Sequence, residues 1–292
     1  MKIIRSIKEM KEISTNIKAK GDTIGFVPTM GYLHEGHAAL IDVCRKETDI
    51  VIVSIFVNPL QFGPNEDFDR YPRDEERDRR IAERHRADYL FLPTVEEMYP
   101  EKASLSINVV DRTDVLCGRT RQGHFDGVVT VLAKLFHLTN SDVAYFGLKD
   151  AQQVAVVKAL VDDLNFSVKI RPIPTVREAD GLAKSSRNVY LSPEERMEAS
   201  HLYKSLQIGQ QLLIDGVKNT GIIINEVRKY LKNHTNGSID YVEILSFPEL
   251  KEISTINQPV ILAVAVNFAK ARLIDNILIN GHGVIVSDPF QS

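Results

Sequence analysis

Eight consecutive residues, Ile50–Val57, read IVIVSIFV, apolar at every position but one. A strand with one face in water alternates polar and apolar residues. A short run that does not alternate fits a strand covered on both faces, as in the middle of a parallel sheet. Parallel neighbours need a crossover, usually a helix, to join them. The chain supplies one just upstream. Ile24–Val27 is an apolar run closed by Pro28, and Ala38–Lys46 carries Ala39, Leu40, Val43 and Cys44 at helical spacing. Strand, helix and strand over residues 24–57 make one βαβ unit in size.

The alternation continues. Helices are predicted over Asp74–Arg86, Val128–Leu138 and Ala151–Leu164, and strands over Tyr89–Leu92, Val143–Phe146 and Val168–Ile173. The expected fold class is therefore α/β, a doubly wound parallel sheet with right-handed crossovers. Past Tyr190 the texture changes. Ser192, Pro193 and Glu195 form a helix start with a cap, a first-turn proline and a capping-box acid. A second helix is predicted near Ile222–Leu231, then strands over Ile239–Ile244, Val260–Val266 and Ala271–Leu278. This order suggests a second, smaller α+β C-terminal domain. The chain is expected to divide as residues 1–178 and 179–292, within the polar stretch Val176–Ser192.

With 292 residues there is ample chain for such cores. A net charge of −3 gives no basic field for nucleic acid. Asp69–Arg86 holds seven arginines, but its six acids at helical spacing read as a solvated, salt-bridged face. Two cysteines cannot build a disulfide framework, so a cytoplasmic location is expected. The charged start MKIIRSIKEMKEI lacks the apolar core of a signal peptide. The longest apolar run in the C-terminal part, Val260–Val266, is too short to cross a membrane.

In doubly wound sheets, ligands collect beyond the carboxyl ends of the strands, at the switch point. The loop after the first βαβ strand reads PTMGYLHEGH, Pro28–His37, and feeds a helix N-terminus. Unpaired N–H groups and the positive end of the helix dipole suit a phosphate there. Gly31 and Gly36 let the backbone come close, and His34 and His37 can bind the same anion, a protonated ring adding charge. The plain alternative is a histidine acting as a helix cap. HEGH is not the H-E-x-x-H of zinc proteases, because position 38 is Ala, and the loop lacks G-x-G-x-x-G. No metal ligands are assigned.

Three other stretches carry chemistry. Lys184–Arg187, KSSR, is an anion clamp or a solvated loop. Phe146–Asp150, FGLKD, leaves a strand, with Gly147 for a close turn and Lys149 within reach of a phosphate. In Phe56–Phe62, FVNPLQF, Asn58 and Gln61 are neutral hydrogen-bonders in an apolar setting, which suits a hydroxy acid, although Asn58–Pro59 can be read simply as a turn.

PTMGYLHEGH, SIFVNPLQF, YPR, GHFDGVVTV, FGLKDAQQ and READGLAKSSRNVYL, in that order from about Thr23 to Leu191, resemble the pantothenate synthetase (pantoate–β-alanine ligase) family. HEGH resembles the HIGH element of nucleotidyl-transfer folds, and KSSR the lysine–serine loop of class I tRNA synthetases. The resemblance implies a Rossmann-like HIGH-superfamily fold and a cytoplasmic homodimer. It implies that ATP, with Mg2+ on its phosphates, and (R)-pantoate give pantoyl adenylate and pyrophosphate. β-Alanine then gives pantothenate and AMP.

The resemblance further implies that Met30, Gly31, Tyr32, Leu33, His34, Glu35, Gly36 and His37 hold ATP. His37 would be a proton donor, with His34 beside it on the phosphates. Gly147, Leu148, Lys149 and Asp150 would contact the nucleotide, as would Val176 through its backbone. Lys184, Ser185, Ser186 and Arg187 would close over the phosphates, in a lid spanning Ala179–Asn188. Gln61 would touch pantoate and β-alanine, and Gln153 pantoate. Lys149 joins His34 and His37 as a catalytic donor, and Asn58 joins the substrate pocket. Cys117 and Leu148 stand where the family often has acidic residues. Two rival functions share the phosphate loop: a nucleotidylyltransferase that moves AMP to a phosphate ester, and a nucleotide-sensing module without turnover.

Overall fold

The computed structural model describes residues 1–63, 68–101 and 103–290. Two compact units emerge, Met1–Gly147 with Val156–Ile173, and Leu148–Ala155 with Pro174–Ser292.

The first unit runs β1 (Lys2–Ile4), α1 (Ile7–Ala19), β2 (Ile24–Thr29), α2 (Glu35–Glu47), β3 (Ile50–Ile55), α3 (Glu75–Arg84), β4 (Tyr89–Phe91), α4 (Val95–Met98), α5 (His124–Thr139) and β5 (Val143–Gly147). It closes with the C-terminal part of α6 (Ala151–Asp163) and with β6 (Lys169–Ile173). Among the described residues its sheet has six strands in the order β1-β4-β3-β2-β5-β6, every pairing parallel. This is the doubly wound α/β sheet expected from IVIVSIFV. Val51–Ser54 and Ile24–Val27 are buried at every position, so β3 and β2 are covered on both faces.

The chain winds outward from β2 through β3 to β4, then returns to β5 on the other side of β2. The switch point lies between β2 and β5. Because the strands are parallel, β2, β3, β5 and β6 all end on one rim. The N-terminal strand and helix, β1 and α1, are absent from the sequence reading. Three residues cannot show a period, and β1 is placed by Lys2–Ile4 pairing with Tyr89–Phe91.

The second unit contains α7 (Pro193–Ile214), α8 (Thr220–His234), β7 (Ser238–Ser246), β8 (Val260–Asn267) and β9 (Arg272–Ile279). Its strands form an antiparallel sheet, β7-β8-β9. Leu202 and Leu206 of α7, Val227 and Leu231 of α8, and Leu262 and Val264 of β8 share one apolar core. The helix start read at Ser192 is present. Ser192 Oγ accepts from Glu195 N–H at 3.2 Å, and Glu195 returns to Ser192 N–H at 2.8 Å. The other Glu195 oxygen accepts from Ala269 N–H at 2.9 Å, tying α7 to the β8–β9 turn.

The Ser192 and Ala269 N–H groups hold the Glu195 carboxyl below its ordinary value of 4.5. A carboxylate whose pKa falls on folding stabilises the fold above the unfolded-state pKa, and that contribution is lost as pH falls through the folded-state value. Glu195→Gln is therefore expected to lower the urea midpoint near neutral pH, with the gap to wild type closing as pH falls below the ordinary carboxyl value of 4.5. A gap that is constant with pH would exclude the ionised cap as its source.

Candidate active site

In the first unit, β2 and β3 run in register to Thr29 and Ile55. The Thr29 hydroxyl donates to Ser54 O at 2.8 Å and accepts from Gly31 N–H at 3.2 Å, starting the turn. Gly31 (φ +87°) and Tyr32 (φ +50°) are both left-handed. Glycine suits the first position, because a Cβ there would lie 2.9 Å from Ile55 Cγ2 and 3.0 Å from Asp78 Oδ2. A tyrosine in this region persists only where its surroundings hold it. Asp78 provides that hold. Its carboxylate accepts from Tyr32 N–H at 2.8 Å and Leu33 N–H at 2.6 Å, while the Arg77 guanidinium lies 4.4 Å from the Tyr32 ring centre. Asp78 is buried, which pushes its carboxyl up against the pull of these two N–H groups. The expected solvated face of Asp69–Arg86 is thus corrected at Asp78, which turns inward.

His34 is the N-cap of α2. Its Nδ1 accepts from Gly36 N–H at 3.1 Å, and its own N–H donates to His37 Nδ1 at 3.3 Å. The rings lie 4.1 Å apart. A ring nitrogen that accepts carries no proton, so this hydrogen-bond pattern assigns the ring proton of His34 and of His37 to Nε2. The helix cap, the plain alternative read from the sequence, is present at Nδ1 of both rings.

Asn58 caps the short 3-10 turn Pro59–Gln61 after β3, and Gln61 is its last residue. Asn58 is wholly buried. It donates from Nδ2 to Gln61 Oε1 and Gly127 O, both at 3.0 Å, and accepts at Oδ1 from Leu60 N–H and the Tyr99 hydroxyl. Both donors and both lone pairs are used. The Asn58 side chain thus braces Gln61. With Gln61 Oε1 accepting, the Gln61 amide presents its NH2. His124 Nδ1–H donates to Gln61 O at 2.8 Å while His124 Nε2 accepts from Arg121 at 3.0 Å.

In the second unit, the Leu148–Asp150 turn opens α6, with Lys149 Nζ 3.8 Å from Asp150 Oδ1 and Gln153 half-buried one turn on. Val176 O accepts from Lys184 N–H at 2.9 Å, and Arg177 bridges Ala183, so residues 176–184 form a small hairpin. Arg196 of α7 grips it, donating to Asp180 and Glu178 at 2.6 Å each. Ser185 caps a 3-10 turn over Ser186–Tyr190, accepting from Arg187 N–H at 3.3 Å. Lys184–Arg187 are all half-buried, unlike a solvated loop.

A family model described as pantoate-beta-alanine ligase matches residues 2–278. The pantothenate synthetase of Geobacillus thermodenitrificans is 59% identical over 279 residues, covering 96% of each chain. That of Bacillus mycoides is 56% identical, covering 96% of this chain and all of its own. A crystal structure of pantothenate synthetase from Thermus thermophilus superposes with a TM-score of 0.90 at 44% identity, over 95% of this chain and 99% of that one. The chain belongs to the pantoate–β-alanine ligase family. The Francisella tularensis pantoate-beta-alanine ligase, solved in complex with "Beta-gamma ATP and Beta-alanine", matches with a TM-score of 0.78 at 35% identity, over 95% and 97% of the two chains.

For a member of this family, the residues missing from the sequence reading are those behind the expected contacts. Asp78 shared a helical face with Ala82, a spacing that was available as a signal. Tyr99 and Arg121 carry no signal of their own, and His124 stands in the GHFDGVVTV stretch without a role, because all three meet Asn58 and Gln61 only through the fold. Leu148 is buried. Cys117 sits in a 3-10 turn whose carbonyl accepts from Thr120 and Arg121 N–H.

Proposed function

We propose that the chain condenses (R)-pantoate with β-alanine, using ATP, through an acyl adenylate. A pantoate carboxylate oxygen attacks the α-phosphorus, the α–β phosphoanhydride bond breaks, and pyrophosphate leaves. The β-alanine amine then attacks the acyl carbon, and AMP departs with the bonding electrons as the amine loses its proton and the amide forms. The observation that carries the reading is the α2 N-terminus at the β2–β5 switch point, its cap built by His34 and His37. The family match and the Francisella tularensis complex support it.

Met30–His37 are assigned to ATP, His37 and His34 donating from Nε2 to phosphate oxygens as pyrophosphate leaves. Lys149 and Lys184–Arg187 are assigned to the phosphates, and Gly147–Asp150 with the Val176 backbone to the nucleotide. Gln61 offers NH2 donors to pantoate and orients β-alanine, and Gln153 binds pantoate. The segment Ala179–Asn188 is assigned the role of keeping water from the labile adenylate. Among the described residues no group of three or more His, Cys, Asp or Glu side chains is placed to hold a metal. Following the family resemblance, magnesium is assigned to the substrate, as MgATP, where it neutralises phosphate charge.

AMP release measured with each substrate omitted in turn tests the function. It is expected to need all three, while pyrophosphate exchange needs pantoate and not β-alanine. Exchange supported by a phosphate ester instead of pantoate would make the chain a nucleotidylyltransferase. Gln153→Ala is expected to raise the KM for pantoate at least about tenfold and leave ATP affinity, measured by calorimetry, within about twofold. Loss of ATP binding would remove Gln153 from the pantoate pocket. A cytoplasmic homodimer completes the proposal, following the family resemblance, and sedimentation equilibrium tests the dimer. Among the described residues, no helix is long and apolar enough to cross a membrane.

A further inference from the structure

After Arg272 at its start, strand β9 is apolar but for two adjacent residues in its centre, Asp275 and Asn276, which are 2% and 7% exposed. A buried carboxylate and a buried amide are costly unless fully partnered, so their partners explain why they are there. Asn276 uses both hydrogens of its amide on consecutive carbonyls of the turn that opens α6, Leu148 O at 3.1 Å and Lys149 O at 2.8 Å. Asp275 takes the Arg177 fork with both oxygens, at 2.6 and 3.0 Å. The same guanidinium reaches Gly181 O at 3.1 Å, across the 176–184 hairpin, and stacks 3.7 Å from the Tyr203 ring centre. Gly181 is left-handed (φ +95°), and a Cβ there would lie 2.7 Å from Tyr203 Cδ1. The Asp275 carboxylate also feels the charge of Lys149. Two segments distant in sequence, the Lys149 turn and the hairpin that leads into Lys184–Arg187, are thus tied to two neighbouring residues of one strand.

We propose that Asp275 and Asn276 are positioning residues for the adenylation step: Asn276 sets where the Lys149 ammonium is delivered, and Asp275, through Arg177, sets the approach of Lys184–Arg187. The proposal rests on the assignment of these cations to the nucleotide phosphates. Neither β9 residue is given contact with substrate. Their action is geometric, since a shift of the Lys149 backbone moves its donor off the developing charge.

The test is a double-mutant cycle on pantoate-dependent pyrophosphate exchange, with thermal melting to confirm folding. Asn276→Ser keeps one donor in place of two. It is expected to slow exchange at saturating substrate about tenfold, with the KM for pantoate unchanged. In a Lys149→Ala background the same change should have no further effect, because the group it positions is gone. An equal tenfold loss in both backgrounds, or an N276S rate equal to wild type while K149A is slow, would overturn the proposal alone. A wild-type rate for K149A would remove the parent assignment and the proposal with it. Should N276S fail to fold, Arg177→Lys probes the other arm. An ammonium cannot hold both Asp275 oxygens and Gly181 O in the fork geometry. The KM for ATP is expected to rise at least about threefold with that for pantoate constant, and an unchanged KM for ATP would refute the device.

Discussion

His37→Ala is expected to slow pantoate-dependent pyrophosphate exchange by about 10²-fold or more, the scale for one donor on a developing oxyanion. The structure complicates this, because His37 Nδ1 also accepts the His34 N–H at the start of α2. Magnitudes separate the two roles. A lost cap costs about 1 kcal/mol, against a total stability of about 5–15 kcal/mol, so the variant should remain folded. A folded protein with a 10²-fold slower exchange has lost chemistry and not its helix. His34→Asn sharpens the test from the other side. Asparagine is among the best N-caps, so α2 and the melting midpoint should be kept while the Nε2–H donor is lost. Near-wild-type exchange in H34N, with intact melting, would reduce His34 to a cap.

Gly127→Ala is expected to impair the pantoate site from a distance. Gly127 lies inside α5, where alanine is normally favoured by about 1 kcal/mol. The added Cβ, however, would lie 2.2 Å from Leu60 O and 2.8 Å from Gln61 N, both backbone atoms that cannot swing away. Overpacking of this kind costs about 1–3 kcal/mol, so the clash should outweigh propensity and the protein should melt earlier. Relief requires the Pro59–Gln61 turn to move, which strains the Asn58 bonds to Gln61 Oε1 and Gly127 O. The KM for pantoate is expected to rise at least about tenfold while calorimetric ATP affinity holds. A stabilised variant with normal KM values would show that α5 and the turn can separate freely.

The alternating runs carried much of the fold. IVIVSIFV could be stable only when covered on both faces, and the helices between apolar strands dictated parallel crossovers, so β2 through β6 were legible. The motifs also lay in the sequence, because glycine, histidine and lysine just past a strand end are a local signal. β1 was not legible, since a three-residue strand has no period and gains its identity from the β4 edge.

At the site, residue types were local information, but the roles depended on partners far along the chain. Asn58 offered a neutral hydrogen-bonder next to Pro59, but its partners Gly127 and Tyr99 lie far along the chain. The HEGH loop showed its histidines and hid the carboxylate 45 residues away that holds Leu33 in place. A sequence displays propensities and short spacings, which act between near neighbours. Which buried amide faces which carbonyl is set by packing between remote segments, and only the folded chain brings those atoms within hydrogen-bonding distance.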